Sequence, residues 1–148
     1  MKLAVFLSVV IGLGLASIVR ADDIVRADEF PSMVGTWKGT SEAVVLGKLA
    51  YYPDVASEQA KPQASSADFV INLTHQDGRR MWGNVSSNNM TEPWIGVFWN
   101  DRKSFEAVDE NGQIEGRMID ANTVEVIYTQ YDSSGLITSH VVFSRSVD

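Results

Sequence analysis

The feature that most restricts the fold is a series of segments in which side chains alternate between two faces, separated by short turn sequences. DFVINLTHQ at 68–76 and TVEVIYTQ at 123–130 both show a period of two, which is typical of β-strands. Between such segments stand Asp77-Gly78 and Asn111-Gly112, whose residues tolerate the positive φ of a two-residue hairpin turn. The pattern therefore predicts consecutive antiparallel strands.

These breaks divide the chain after residue 33 into eight strands with short connections. An open sheet of eight strands would leave two unpaired edges, and closing the sheet on itself removes both. We therefore predict an all-β fold, an eight-stranded antiparallel up-and-down β-barrel. A two-sheet sandwich is the alternative, but it usually needs longer crossing connections. The predicted strands are 35–48, 67–76, 79–87, 93–100, 103–109, 113–119, 123–131 and 136–145.

The N-terminus has the pattern of a secretory signal peptide: Lys2, an apolar run at 3–18 and a small residue at Ala21. The alternative, a membrane anchor, needs roughly 20 apolar residues. We predict a signal peptide at 1–21, with Ala27 as a later cleavage point because IVRAD occurs twice. Residues 22–32 are predicted to be a disordered leader and 33–148 a single barrel domain. The expected location is periplasmic or secreted, with no membrane association after cleavage.

The chain is acidic and contains no cysteine. Its net charge is −7, and cleavage after residue 21 would remove Lys2 and Arg20 but no acidic residue, which makes the mature protein more acidic still. Such a charge disfavours nucleic acid and favours a basic protein partner or simple solubility. Without cysteine, an exported domain must be held by its core alone.

The first predicted strand opens with GTWKG, in which Trp37 stands between Gly35 and Gly39. A Gly-x-Trp on the first of eight strands resembles the calycin group, which includes lipocalins, fatty-acid-binding proteins and avidins. The resemblance implies that Trp37 plugs the closed end of the barrel and that Arg145, on the last strand, lies across its ring as a cation–π partner. The wider run GTWKG…DGRRMWGNVSS…DENGQIEG also resembles small exported bacterial proteins of uncharacterised function.

The calycin resemblance also implies a lid over the open mouth, and the connection at 48–67 is long enough to form one. A disordered excursion is the alternative. An eight-stranded barrel has room inside for packed side chains or for one small ligand. Alternation does not say which aromatic face points inward, so a lumen filled by its own rings stays open as an alternative. The candidate ligand-binding residues are Tyr51, Tyr52, Trp82, Asn84, Trp94, Phe98 and Tyr128.

The sequence predicts no catalytic residues, no metal site and no cofactor. It contains only two histidines, and no cysteine is present to complete a zinc site. The favoured function is binding of a small apolar or amphipathic molecule in the lumen. The first alternative is an acidic protein-interaction or inhibitor module without a small ligand. A second alternative, a barrel enzyme of the isomerase or cyclase kind, would gain from a polar pair inside the lumen.

Overall fold

Nine β-strands follow one another along the chain in the computed structural model, which describes residues 30–55 and 61–147. Every pairing between neighbouring strands is antiparallel. The strands are β1 Gly35–Gly47, β2 Gln63–Ser65, β3 Asp68–Asp77, β4 Arg80–Ser87, β5 Met90–Phe98, β6 Ser104–Val108, β7 Gln113–Asp120, β8 Thr123–Tyr131 and β9 Gly135–Arg145.

The sheet closes because β1 pairs with β9 along almost its whole length, from Trp37 opposite Arg145 to Gly47 opposite Gly135. On its other side, β1 pairs with β3 and, beyond it, with the short β2. Eight strands thus form a closed antiparallel barrel, and β2 is an additional strand. The predicted all-β class and eight-stranded barrel are confirmed. The predicted signal peptide, and the leader up to residue 29, lie outside the described residues.

The hairpin between β4 and β5 was not predicted. Asn88 and Asn89 both have positive φ, 47° and 65°, as the central residues of a two-residue hairpin turn require. β5 therefore begins at Met90 and ends at Phe98, whereas the prediction placed this strand at 93–100. The omission matters because it moves Glu92 from a loop into the barrel wall.

The barrel wall has an incomplete ladder beside the first half of β5. Pairing between β5 and β6 runs only from Ile95 opposite Val108 to Phe98 opposite Phe105. Pro93 lies in the stretch where β6 no longer pairs, which suits a residue without an N–H. Among the described strands, the residues before Ile95 pair with β4 alone, so this part of β5 is locally an edge.

One end of the barrel is closed by Trp37, which is fully buried and whose Nε1 donates a 2.9 Å hydrogen bond to the carbonyl of Met33. The guanidinium carbon of Arg145 lies 4.1 Å from the centroid of the indole ring. The same guanidinium donates to three main-chain carbonyls, those of Ser32 and Val34 at 2.6 Å and that of Ala121 at 3.2 Å. We call this end the plug end.

The two glycines that flank Trp37 are required by close approach. Gly35 has a φ of +134°, which L side chains rarely adopt, and a Cβ there would lie 3.2 Å from a guanidinium nitrogen of Arg145. A Cβ at Gly39 would lie 2.7 Å from the carbonyl oxygen of Val142 on β9. The GTWKG motif therefore lets β9 and its arginine approach the Trp37 ring closely.

Three residues that the prediction assigned to the disordered leader contact the barrel. Phe30 stacks on Phe98 with ring centroids 5.6 Å apart. The carbonyl of Pro31 accepts a hydrogen bond from Gln76, and that of Ser32 accepts one from Arg145. These residues therefore cover the rim of the plug end.

Two groups of buried apolar residues fill the interior. The larger group surrounds Trp37, Trp94 and Phe105 and extends from the plug end to the middle of the barrel. The smaller group, which includes Val45, Tyr51 and Tyr52, closes the opposite end. We call that end the lidded end. The side chains of Phe69 and Tyr128 contact both groups and join them.

The first prediction concerns the clamp at the plug end. Arg145→Ala should lower the free energy of unfolding by about 2–4 kcal/mol, because it removes a cation–π contact and the charged donor of three hydrogen bonds. The free energy of unfolding of Arg145→Lys should lie between those of the wild type and Arg145→Ala, because lysine keeps the charge but lacks the planar guanidinium group. Chemical denaturation measures the difference.

The matched control is Arg80→Ala, which removes an exposed ion pair with Asp77. Its cost should stay below about 1 kcal/mol. Equal effects of the two alanine substitutions would contradict the role given to Arg145.

Candidate functional site

The connection between β1 and β3 forms a lid over the end opposite Trp37. Lys48 donates its N–H to the carbonyl of Ser134 at 3.0 Å, and tight turns bring the chain back over the lumen. The three residues of β2 then pair with Ala43–Val45 of β1. Described lid residues therefore form ordered structure on both sides of residues 56–60.

Tyr51 and Tyr52 point from the lid into the barrel and are almost completely buried. Their rings lie 5.3 Å and 6.3 Å from that of Phe69, measured between centroids. The Tyr52 hydroxyl is 2.9 Å from Oγ of Ser41, which also accepts the N–H of Ala67 at 3.0 Å. Ser41 thus ties the two ends of the lid to β1.

Beneath the lid lies a cavity of about 30 Å³. A space of this size holds about one or two water molecules. Apart from a void of about 10 Å³ next to Trp37, the rest of the lumen is filled by its own side chains, which is the packed alternative that the sequence left open. The cavity is lined by Phe69, Ile71, Val85, Trp94, Asp109, Ile114, Val126, Tyr128, Ser139, Val141 and Phe143.

A buried carboxylate, Glu92, lies beside this cavity. It is only 4% exposed and shares the inward face of β5 with Trp94, and it pairs in register with Val85, which lines the cavity. Its Oε1 accepts a 2.6 Å hydrogen bond from Nδ2 of Asn111 in the turn between β6 and β7. This hydrogen bond connects β5 to that turn where the strand ladder has stopped.

Several buried polar atoms around the cavity have no hydrogen-bond partner among the described residues. They include Nε1 of Trp94 and Oγ of Ser87, together with Oε2 of Glu92 and the hydroxyl of Tyr51, which are neighbours without a well-aligned hydrogen bond. Burying a polar group without a partner costs roughly 1–3 kcal/mol. Such atoms are uncommon in native proteins, where a functional role, local strain or an ordered water accounts for them.

The acidic groups at this end influence one another. Burial raises the pKa of Tyr51, and the neighbouring Glu92 carboxylate raises it further. Burial raises the pKa of Glu92 by more than the neighbouring Tyr51 hydroxyl lowers it, and the charge of Asp109 also raises it. The pKa of Tyr128 is raised by burial first and then by Asp109 and Glu92. The two phenols therefore stay neutral next to carboxylates in a poorly hydrated space.

A second chain of polar contacts leaves the cavity along β8. The hydroxyl of Tyr128 donates to Oε1 of Gln130 at 3.0 Å, and Nε2 of Gln130 donates to Asp132 at 2.8 Å. Asp132 also accepts the N–H groups of Ser134 and Gly135 in the turn before β9. The orientation of Tyr128 over the cavity is therefore set by the β8–β9 turn.

The structure separates the predicted ligand-binding residues into four sets. Tyr51 and Tyr52 belong to the lid, and Trp94 and Tyr128 line the cavity. Phe98 is inside the barrel, but it packs between Phe30 and Phe105 at the plug end, away from the lid.

Trp82 and Asn84 lie on the outer face, so these two ligand-binding candidates do not line the lumen. Residues directly opposite in a sheet point to the same side, and inward-facing Trp94 pairs with Gly83. Trp82 must therefore point outward, where it is 41% exposed and stacks on His75 with ring centroids 5.2 Å apart. At the lidded end, the cavity is instead lined by Phe69 and Asp109, and the hydrogen-bonded pair Glu92 and Asn111 lies beside it.

The described residues show neither a metal centre nor a membrane-spanning helix. No three potential metal-binding side chains of His, Cys, Asp or Glu come together within residues 30–55 and 61–147. Within the same ranges, no helix has the length and hydropathy needed to cross a membrane.

No protein-family model matches the chain, and no curated protein matches it in sequence. Several solved structures resemble it, among them the following two. A protein of unknown function of the DUF3598 family from Nostoc punctiforme has a TM-score of 0.49 and 11% identity, over 81% of this chain and 51% of that one. The S-type phycobiliprotein lyase of Guillardia theta has a TM-score of 0.31 and 12% identity, over 78% and 89%.

The chain spans about half the length of the Nostoc punctiforme protein. At these TM-scores and identities, neither likeness indicates a ligand or an activity for this chain. The resemblance to the calycin group therefore stays a prediction, whereas the β-barrel itself is shown by the strand pairing.

The second prediction concerns the buried carboxyl group. Because the pKa of Glu92 is raised in the folded protein, its contribution to stability is complete below the unfolded value of about 4.5 and is lost as the pH rises through the folded value. Glu92→Gln keeps the Oε1 acceptor for Asn111 and removes the charge. The variant should therefore match the wild type near pH 4 and be more stable than it at pH 7.

Thermal unfolding across this pH range measures the effect. Glu106→Gln, on the exposed outer face of β6, is the control and should change stability by less than about 0.5 kcal/mol at either pH. A difference between Glu92→Gln and the wild type that does not change with pH would contradict the account.

Proposed function

We propose that this protein binds a small, partly apolar molecule at the lidded end of the barrel. The observation that supports this most directly is the set of buried polar atoms without partners next to an apolar cavity: those of Tyr51, Glu92 and Trp94. A core that served only to pack the barrel would place apolar atoms at these positions. Polar atoms that gain partners only from a bound molecule fix its orientation, as in most small-molecule sites.

Binding requires the lid to move. The cavity of about 30 Å³ is far smaller than the roughly 300–1,000 Å³ of ordinary ligand pockets. Tyr51 and Tyr52 are the largest fully buried side chains of the apolar group at the lidded end, and both belong to the lid. Displacing these two rings would join their volume to the cavity and leave the barrel wall unchanged.

We also propose that the protein acts in the periplasm or outside the cell. The support is the signal-peptide pattern at residues 1–21. The mass of the mature protein from an exported fraction tests this, because cleavage after Ala21 or Ala27 gives two distinct N-termini.

The third prediction is a retained ligand. Native mass spectrometry of the protein purified from its own exported fraction should show extra mass that disappears on denaturation. Val85→Ile should reduce the retained fraction strongly, since one methylene in an apolar pocket changes affinity by about tenfold or more. Val85 lines the cavity, so the added carbon occupies space that the ligand needs.

The control is Val97→Ile on the outer face of the neighbouring strand, where Val97 is exposed. It should retain as much ligand as the wild type. Bare protein from the exported fraction, or equal retention by the two isoleucine variants, would contradict binding in the cavity.

A second candidate function is protein interaction through the outer wall. Trp82, Ile95 and Val108 are exposed and form one row across β4, β5 and β6, because Ile95 pairs with both of the others. Glu106 and Glu115 lie beside this row. Exposed apolar rows with charged borders are typical of binding surfaces, and the negative charge would favour a basic partner.

Salt separates the two candidate functions, which gives the fourth prediction. Binding of a basic protein would weaken steeply as ionic strength rises, whereas binding of an apolar molecule under the lid would change little. Trp82→Ser should abolish binding of the basic protein and leave binding of the apolar molecule intact, because Trp82 lies outside the barrel.

A further inference from the structure

We propose that the molecule bound at the lidded end is an organic cation, an amine carried on a flat apolar body. This inference rests on the proposed function and specifies its ligand class. It comes from the distribution of charge between the two ends of the barrel, the buried Glu92 carboxylate beneath the lid, and the aromatic rings at that end.

The charges of the described residues are divided between the two ends. At the plug end, basic residues outnumber acidic ones: Arg79, Arg80, Arg102, Lys103 and Arg145 against Asp77, Asp101 and Asp120. At the lidded end, the lid and the turns carry the basic residues Lys48 and Lys61 and the acidic residues Asp54, Asp68, Asp109, Glu110 and Asp132. Glu92 adds a carboxylate inside that end. The field at the mouth therefore attracts cations and repels anions.

The inner carboxylate has one oxygen available. Oε1 of Glu92 accepts a hydrogen bond from Asn111, whereas Oε2 makes no well-aligned hydrogen bond among the described residues and has the hydroxyl of Tyr51, a lid residue, as its polar neighbour. Asp109 lines the cavity, and its Oδ1 is already engaged by the N–H groups of Asn111 and Gly112. A charged donor group is the partner that best satisfies a buried carboxylate oxygen, whereas an anionic ligand would be repelled by it.

Aromatic rings complete the site. Tyr51 and Phe69 are in contact above the cavity, and Trp94 and Tyr128 line it. Aromatic faces attract alkylammonium groups, and the attraction grows when water is excluded. A neutral apolar ligand would fill the same space but leave the Glu92 oxygen unpaired. A metal ion does not fit, because the described residues gather no three ligating side chains.

The test uses three probes with the same ring and different charge: 2-phenylethylamine, 2-phenylethanol and 3-phenylpropanoate. Binding is followed at pH 7 by the indole N–H signal of Trp94 in ¹H–¹⁵N spectra. The indole of Trp37, which is hydrogen-bonded to Met33 at the plug end, is the internal control and should not shift. We expect the amine to bind at least about tenfold more tightly than the alcohol, and the carboxylate most weakly.

Glu92→Gln should weaken amine binding by about tenfold and change alcohol binding by less than about twofold. Glu110→Gln is the matched control, an exposed acid at the same end, and should change amine binding by less than about twofold. Thermal unfolding of both variants verifies that they are folded.

Each outcome decides one claim. Alcohol or carboxylate binding as tight as that of the amine, or an equal effect of Glu92→Gln on amine and alcohol, would overturn the cation inference and leave the proposed function standing. No shift of Trp94 with any of the three probes would count against ligand binding at the lidded end as a whole.

Discussion

The pairing of β1 with β9 is the constraint on which the rest of the structure depends. It converts a meander of hairpins into a closed barrel, and it brings Arg145 over Trp37 because the two residues are opposite each other in the ladder. Gly35 and Gly39 permit this approach. Once that end is sealed, β1 is long enough to extend past β3, so its far half is covered by β2 and the lid.

Much of the architecture followed from local patterns. Alternation with Gly-containing turns was sufficient for the closed barrel, because the connections are short and consecutive strands pair. β2 was missed because three residues carry no measurable periodicity. The Asn88-Asn89 turn was missed because it was not among the Gly-containing turn signals used to divide the chain, and that error hid Glu92, whose spacing from Trp94 places both on one face.

The interior face could not be derived from alternation, which defines two faces but does not say which of them is buried. Trp82 and Trp94 looked equivalent in the sequence. Their positions differ because Trp94 is opposite Gly83, a register that depends on the length of the intervening turn. Likewise, Tyr51, Glu92 and Asn111 come from three separate parts of the chain, so no local sequence motif predicts that they form a cluster.

The two ends of the barrel differ in how completely their buried polar atoms are hydrogen-bonded. Around Trp37, the polar atoms of Trp37 and Arg145 have partners, and the packing is that of a core. Under the lid, Glu92 and Tyr51 are buried with hydrogen-bonding capacity to spare, which lowers local stability. A region that must open to admit a molecule is expected to have such reduced stability. Glu92 and Tyr51 are also the kind of polar pair inside the lumen that the alternative of a barrel enzyme would require.

Native-state hydrogen exchange tests most directly whether the lidded end opens independently of the barrel. The account predicts that the buried, hydrogen-bonded amides of Tyr52, Val55 and Ala67 exchange through a local opening. Their opening free energy should lie well below that of the β1 and β9 amides around Trp37, which should exchange only on global unfolding. Lid amides as strongly protected as those at the plug end would contradict it.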